Sequence, residues 1–161
     1  AGAGKGVGLP RYADIGRQLF ARSELVRDDA AHAREDERGA GAVEAVDLAV
    51  MEQMLNGDAP SLNVLRTQLA HATISHELTG VGFYVNFNVP ANCPTISNGS
   101  CYIGDVEAEI DGLVHGAGFV LFIVDGKIRT LEAYSYDEPW PESIERYVLK
   151  YHDSSTRMLP F

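Results

Sequence analysis

The stretch GDVEAEIDGLVHGAGFVLFIVDGKIRTLEAYSYDEPW, residues 104–140, decides the fold. From Asp105 to Asp111 acidic and apolar residues alternate without a break: Asp105, Glu107, Glu109 and Asp111 are acidic, and Val106, Ala108 and Ile110 lie between them. Strand side chains point to opposite faces with period two, so the alternation predicts a strand with its carboxylates on one face and its core on the other. The run Phe119 to Val124 is apolar throughout, as in a strand that lies centrally in its sheet. Asp125-Gly126 follows, a pair suited to a two-residue hairpin turn in which both residues need positive φ, so Ile128 to Tyr136 is expected to return antiparallel.

Upstream, Gly80 to Val89 also alternates: Val81, Phe83, Val85, Phe87 and Val89 against Gly82, Tyr84, Asn86 and Asn88. That pattern predicts a half-buried strand ended by Pro90, and Gly80 and Gly82 suggest a bulge or a close backbone approach near its start. Before it, Val43, Val46, Val50 and Met54 form a helical stripe widened by Leu48, Met51 and Leu55 and stopped at Asn56-Gly57. Asp58 is a cap candidate and Pro60 suits the first turn of a second helix carrying Leu62, Leu65, Leu69 and Ala72. Pro141 is read as opening a C-terminal helix whose apolar face is Ile144, Tyr147, Val148 and Tyr151.

The expected architecture is α+β, with N-terminal helices packed on a four-stranded, mainly antiparallel sheet and a C-terminal helix. Residues 1–41 are expected to hold a helix, from Pro10 to about Arg27, and a charged extension or linker; residues 42–161 form a single α+β domain. Lys5 in the opening AGAGKGVG does not satisfy the phosphate-loop pattern, because no Ser or Thr follows it and no strand precedes it.

The segments TGVGFYVNFNVP (79–90), GDVEAEIDGLVHGAGFVLFIVDG (104–126) and LEAYSYDEPWPESI (131–144) resemble a group of small uncharacterised bacterial proteins, most specifically through HGAGF with its Asp-Gly hairpin and through EPWP. The resemblance runs from about residue 48 to 145. It implies a compact α+β domain and no established activity, so it assigns no catalytic residue.

The 161 residues are 45% hydrophobic and 22% charged, as in an ordinary soluble globular domain, and no apolar run has the length of a membrane span. Twenty-three acidic residues against 13 basic ones give a net charge of −10, which argues against nucleic acid and anionic membrane surfaces as partners and favours a basic protein. A cytoplasmic location is expected. Cys93 and Cys101 lie in one Pro/Asn/Ser/Gly-rich loop where a disulfide is one reading and free thiols the other, and their spacing does not suit a zinc site.

Three groups of side chains bear chemistry. The first is the row Asp105, Glu107, Glu109 and Asp111, with neighbours about 6.5–7 Å apart on a strand. It reads as a solvated face, a protein-binding face or, less suitably for a straight row, a cation site, and Lys127 or Arg129 are candidates to neutralise it. The second is the His76, Glu77, His115 and Glu132 set, which would serve acid–base chemistry if the fold gathered it into a pocket. The third is aromatic, with Tyr134, Tyr136 and Trp140 as contact residues or, for Trp140, a plug at the end of the core. No HExxH or GxSxG motif is present and no cofactor is implied. The expected function is therefore a non-catalytic acidic protein that neutralises or regulates a basic protein, as an immunity protein does. A small enzyme or ligand-binding domain and a homo-oligomeric scaffold are the alternatives.

Overall fold

The structure is a computed structural model that describes residues 38–152 and 157–161. The expected helix near Pro10 and the Lys5 segment lie outside those residues. Among the described residues two helices, α1 (Arg38–Met54) and α2 (Pro60–His71), precede six strands: β1 (Thr73–Leu78), β2 (Gly82–Asn88), β3 (Cys101–Ile110), β4 (Ala117–Val124), β5 (Lys127–Ser135) and β6 (Tyr147–Tyr151). Every pairing is antiparallel and the spatial order is β1-β2-β5-β4-β3-β6.

This corrects the expected fold in two places: the sheet has six strands rather than four, and the C-terminal helix is replaced by an edge strand. Tyr147 to Tyr151 fits a helical stripe, yet it also alternates, and the open side of β3 offers it a ladder from Val106 to Ile110. Asp111 N–H to Arg146 O and His152 N–H to Asp105 O extend that pairing at both ends. The added strand β1 escapes an apolar count because Ile74 is its one buried residue: His76, two positions on, is half-buried, and Leu78 is exposed. Asp58 does not cap α2; the position is Ala59, with Pro60 opening the helix as expected.

The sheet packs on the helices through one face. Phe83, Val85, Phe119, Leu121, Ile123, Ile128 and Leu131 are buried there against Val46, Val50, Met51 and Met54 of α1 and Leu62 and Leu65 of α2. Six strands about 4.8 Å apart would put the edges of a flat sheet about 24 Å apart. Both edges nevertheless reach α1. Tyr147 and Tyr151 of β6 donate to Ala45 O (3.3 Å) and Gln53 O (2.7 Å), while His76 of β1 meets Asp47 at 2.5 Å. Ala45 O and the Asp47 carboxylate lie within one turn of the helix, so both edges bend toward the same level of α1 and the sheet curls into a trough around it.

The C-terminal end of α1 would leave unpaired carbonyls, and two arginines take them up. Arg66 of α2 donates to Leu55 O and to Gly57 O (3.1 Å), and Arg157 donates to Met54 O and Asn56 O. Arg157 also ion-pairs with Asp105 and lies 4.9 Å from the centre of the Tyr151 ring, so one side chain ties the tail, β3, β6 and α1 together.

At the β4–β5 turn Asp125 and Gly126 both take positive φ, 52° and 74°, as the hairpin reading required. Gln68, fully buried on α2, anchors this turn: its amide nitrogen donates to Gly126 O (2.8 Å) and Pro94 O (2.7 Å), and its oxygen accepts from Ile128 N–H (2.9 Å).

Candidate functional site: the convex face of the sheet

The acidic row does not stand together in water. The β3–β4 register slips between Ile103 and Val106, so the period-two reading breaks at Gly104–Asp105. Asp105 turns to Arg157 at the end of α1, on the helix side, while Glu107 and Glu109 stay on the opposite, convex face. Each carboxylate has a cation of the same chain: Glu107 meets Lys150 (3.4 Å) and His152 (3.3 Å), Glu109 meets Lys150 (3.2 Å), and Asp111 meets Arg146 (2.9 Å). These counter-ions come from β6 and its flanks, which the helical reading of 141–151 had placed elsewhere. Lys127, by contrast, donates to Pro90 O and Ala91 O.

His152, together with Lys150, holds the Glu107 carboxyl below its ordinary value, against a smaller opposing effect of burial. A carboxyl with a depressed folded pKa contributes stability above its unfolded value, about 4.3, and loses it as pH falls through the folded one. The urea midpoint of the wild type should therefore drop more steeply below about pH 4 than that of Glu107→Gln, by no more than about 1 kcal/mol for so open a pair. Parallel midpoint-against-pH curves for the two proteins would count against this assignment.

The His76, Glu77, His115 and Glu132 set is not gathered. His76 faces α1 and Asp47, a carboxylate that is almost completely buried. Glu77 and Glu132 lie on the convex face, each across from Tyr84, which stands between them in the ladder order Glu77–Tyr84–Glu132. His115 is exposed in the β3–β4 loop, where its N–H and that of Val114 donate to the Glu138 carboxylate (3.0 and 2.9 Å). Those two backbone hydrogen bonds hold Glu138 below the usual carboxylate range. Among the described residues no three His, Cys, Asp or Glu side chains form a metal-binding group. Cys93 and Cys101 are free thiols, and burial pushes the Cys101 thiol up.

What the fold does bring together is aromatic and acidic. The Tyr84 hydroxyl donates to Glu132 (3.2 Å), and the negative charge of Glu132 pushes the phenol up from its ordinary value. Next to it Tyr134 lies across Gly118, so closely that a β-carbon there would stand 2.5 Å from the phenol ring. Tyr134 packs edge-on against Tyr136 at 5.5 Å, and burial is the main cause of its raised pKa. Tyr136 in turn borders a groove of about 630 Å³ that Glu107, Glu109, His115 and Lys150 also line. Trp140 belongs to the core side: it packs edge-on against Phe83 at 5.3 Å, and its indole N–H has no partner among the described residues.

Reading the residues alone passed over Asp47, Gln68 and Tyr84. Asp47 and Gln68 had a usable signal, since each is a polar residue inside an apolar helical stripe: Asp47 stands four positions from Met51, and Gln68 three from Leu65. Tyr84 has none beyond its place opposite a buried alternation. No described helix is long and apolar enough to cross a membrane. Comparison of the chain with protein-family models, curated proteins and solved structures finds no match.

Proposed function

We propose that this chain is a non-catalytic acidic binding protein that neutralises or regulates a basic protein partner, immunity-protein-like in action, and that it does so with the convex face of its sheet. The observation that carries the reading is the row Glu77–Tyr84–Glu132: two glutamates flank a tyrosine, and neither makes an ion pair among the described residues. The stripe at 105–111 no longer motivates it, because its charges are met internally. Tyr84, Tyr134 and Tyr136 supply contact area with little rotamer entropy to lose, and the glutamates offer acceptors for Lys or Arg. A net charge of −10 speeds the encounter with a cationic surface and opposes packing against a copy of the same chain. The alternative of a small enzyme or ligand-binding domain draws no support from His76, Glu77, His115 and Glu132, which stand in three separate places.

Immobilised protein incubated at low salt with extract of its source cell should retain a basic protein that raised salt releases. With the purified pair, the double variant Glu77→Gln/Glu132→Gln should weaken binding at least about tenfold, about 1.4 kcal/mol. Asp111→Asn, whose carboxylate already has Arg146, should leave it unchanged. Equal affinity for wild type and the double variant, or retention of no basic protein, would overturn the reading.

A further inference from the structure

We propose that Asn98 is a site of spontaneous deamidation in the folded protein and that the fold protects the other Asn-Gly pair, Asn56-Gly57. Asn-Gly is the dipeptide most prone to this reaction, because glycine leaves its own amide nitrogen unhindered and the backbone free to turn. The nitrogen of the following glycine attacks the side-chain carbonyl carbon of asparagine, the bond from that carbon to the amide nitrogen breaks, and ammonia leaves. The attacking nitrogen gives up its proton to solvent, and the departing amide nitrogen takes one up from solvent to leave as ammonia. Water then opens the succinimide at either carbonyl, giving aspartate or isoaspartate. Water is the sole co-reactant.

The two pairs share an exposed asparagine and differ in how the carbonyl between asparagine and glycine is held. Asn98 is exposed in the loop before β3, and the Gly99 amide donates no hydrogen bond among the described residues, so the nucleophile is unengaged. The Ser97 hydroxyl donates to the Asn98 side-chain oxygen (3.4 Å), which draws electrons from the carbon under attack. Among the described residues the Asn98 amide group is held only by one long bond, to Pro160 O (3.3 Å).

Both glycine carbonyls are held, Gly99 O by Gly126 N–H, but at the other pair the carbonyl that must swing is clamped as well. Arg157 holds Asn56 O, and Arg66 holds Gly57 O at 3.1 and 3.2 Å through its two terminal nitrogens. Bringing the Gly57 nitrogen onto the Asn56 side chain requires swinging the Asn56 carbonyl away from a guanidinium that is itself paired with Asp105. Exposure and an unengaged glycine amide are common to both sites, since both asparagines are exposed and neither Gly57 N–H nor Gly99 N–H donates among the described residues; the clamp on the Asn56 carbonyl makes them differ.

The products would act on the structure. A carboxylate at position 98 loses the donor to Pro160 O, and isoaspartate adds a backbone carbon just before Gly99, whose carbonyl accepts from Gly126 N–H at 2.6 Å.

The test ages the full chain in warm, mildly alkaline buffer, native in one sample and unfolded in urea in the other, followed by peptide mass mapping and labelling with an isoaspartyl methyltransferase. In the native sample the peptide holding Asn98 should gain about one dalton and take the label, while that holding Asn56 stays unchanged. In urea both should convert at similar rates. Native conversion that is equal at the two pairs, faster at Asn56, or undetectable at Asn98 while the urea sample converts would overturn the proposal. Asn98→Gln should abolish the native signal, and a signal that survives it would count against the assignment as well.

Discussion

Gly82→Ala is expected to destabilise the fold by about 3–5 kcal/mol, far beyond an ordinary glycine substitution. A β-carbon at position 82 would stand 1.9 Å from the carbonyl oxygen of Ala133 and 2.7 Å from its carbon, both backbone atoms of the paired strand β5. No rotamer change relieves that contact; β2 has to move off β5. The move also strains the junction above it, where Ser135 N–H and hydroxyl bond Val81 O, Trp140 N–H bonds Gly80 O and Thr79 N–H bonds Gly82 O. Gly80→Ala is the comparison, because that position has positive φ (87°) but nothing within 4 Å of an added carbon, and it should cost about 1–2 kcal/mol. Urea unfolding followed by circular dichroism distinguishes the two. Equal losses would show that backbone conformation, and not the approach of β5, sets the demand for glycine at 82.

Gln68→Leu is expected to cost about 2–5 kcal/mol, although it exchanges a polar residue for an apolar one in a buried position. Leucine leaves the Ile128 N–H and the Pro94 carbonyl without the partner that Gln68 supplies, each at a desolvation cost of about 1–3 kcal/mol. Gly126 O is less affected, because Ile96 N–H still reaches it. Gln68→Glu should be worse at neutral pH, since a carboxylate would face the two carbonyl oxygens to which the amide now donates. Part of that loss should return in acid, where a protonated carboxyl can donate again. A urea midpoint for Gln68→Leu within the error of wild type, with an unchanged slope, would mean that the turn finds other partners.

These two residues mark where the chain could be read and where it could not. Gly82 was legible in part, because a glycine at an outward position of a regular alternation asks for a reason; of the two readings, a bulge or a close backbone approach, the structure has the close approach at Gly82 and not at Gly80. The β4–β5 hairpin was legible too, since Asp125-Gly126 states its own backbone angles. The apolar stripes of α1 and α2 gave two helices ahead of the sheet. Gln68 was legible only in part: a polar residue inside an apolar stripe signals a buried polar group, but its partners at Pro94, Gly126 and Ile128 appear only once the fold brings them onto it.

The two missed strands failed for a different reason. Tyr147 to Tyr151 satisfies helical and extended spacing equally over five residues, and the vacancy beside β3 that decides between them is a property of the whole sheet. The middle inward position of β1 is His76, whose burial makes sense only once Asp47 is opposite it. The acidic row failed most instructively. A one-residue slip at Gly104–Asp105 moves a carboxylate to the other face without changing the composition of the strand, and the cations that meet the rest arrive from 35 or more positions away in the chain. Charge pattern along a strand therefore reported composition faithfully and facing unreliably. The reading moves from β3 to Glu77 and Glu132, which the sequence presented as candidates for acid–base chemistry.

Because the margins of the sheet bend in toward α1 from both sides, a neighbouring chain that tried to add a strand to β1 or β6 would have to follow a surface that turns away from it. Flat stacking of the kind that lets fibrils lengthen is frustrated by this curvature. The helix in the trough thus protects the protein from its own edges, in addition to filling its core.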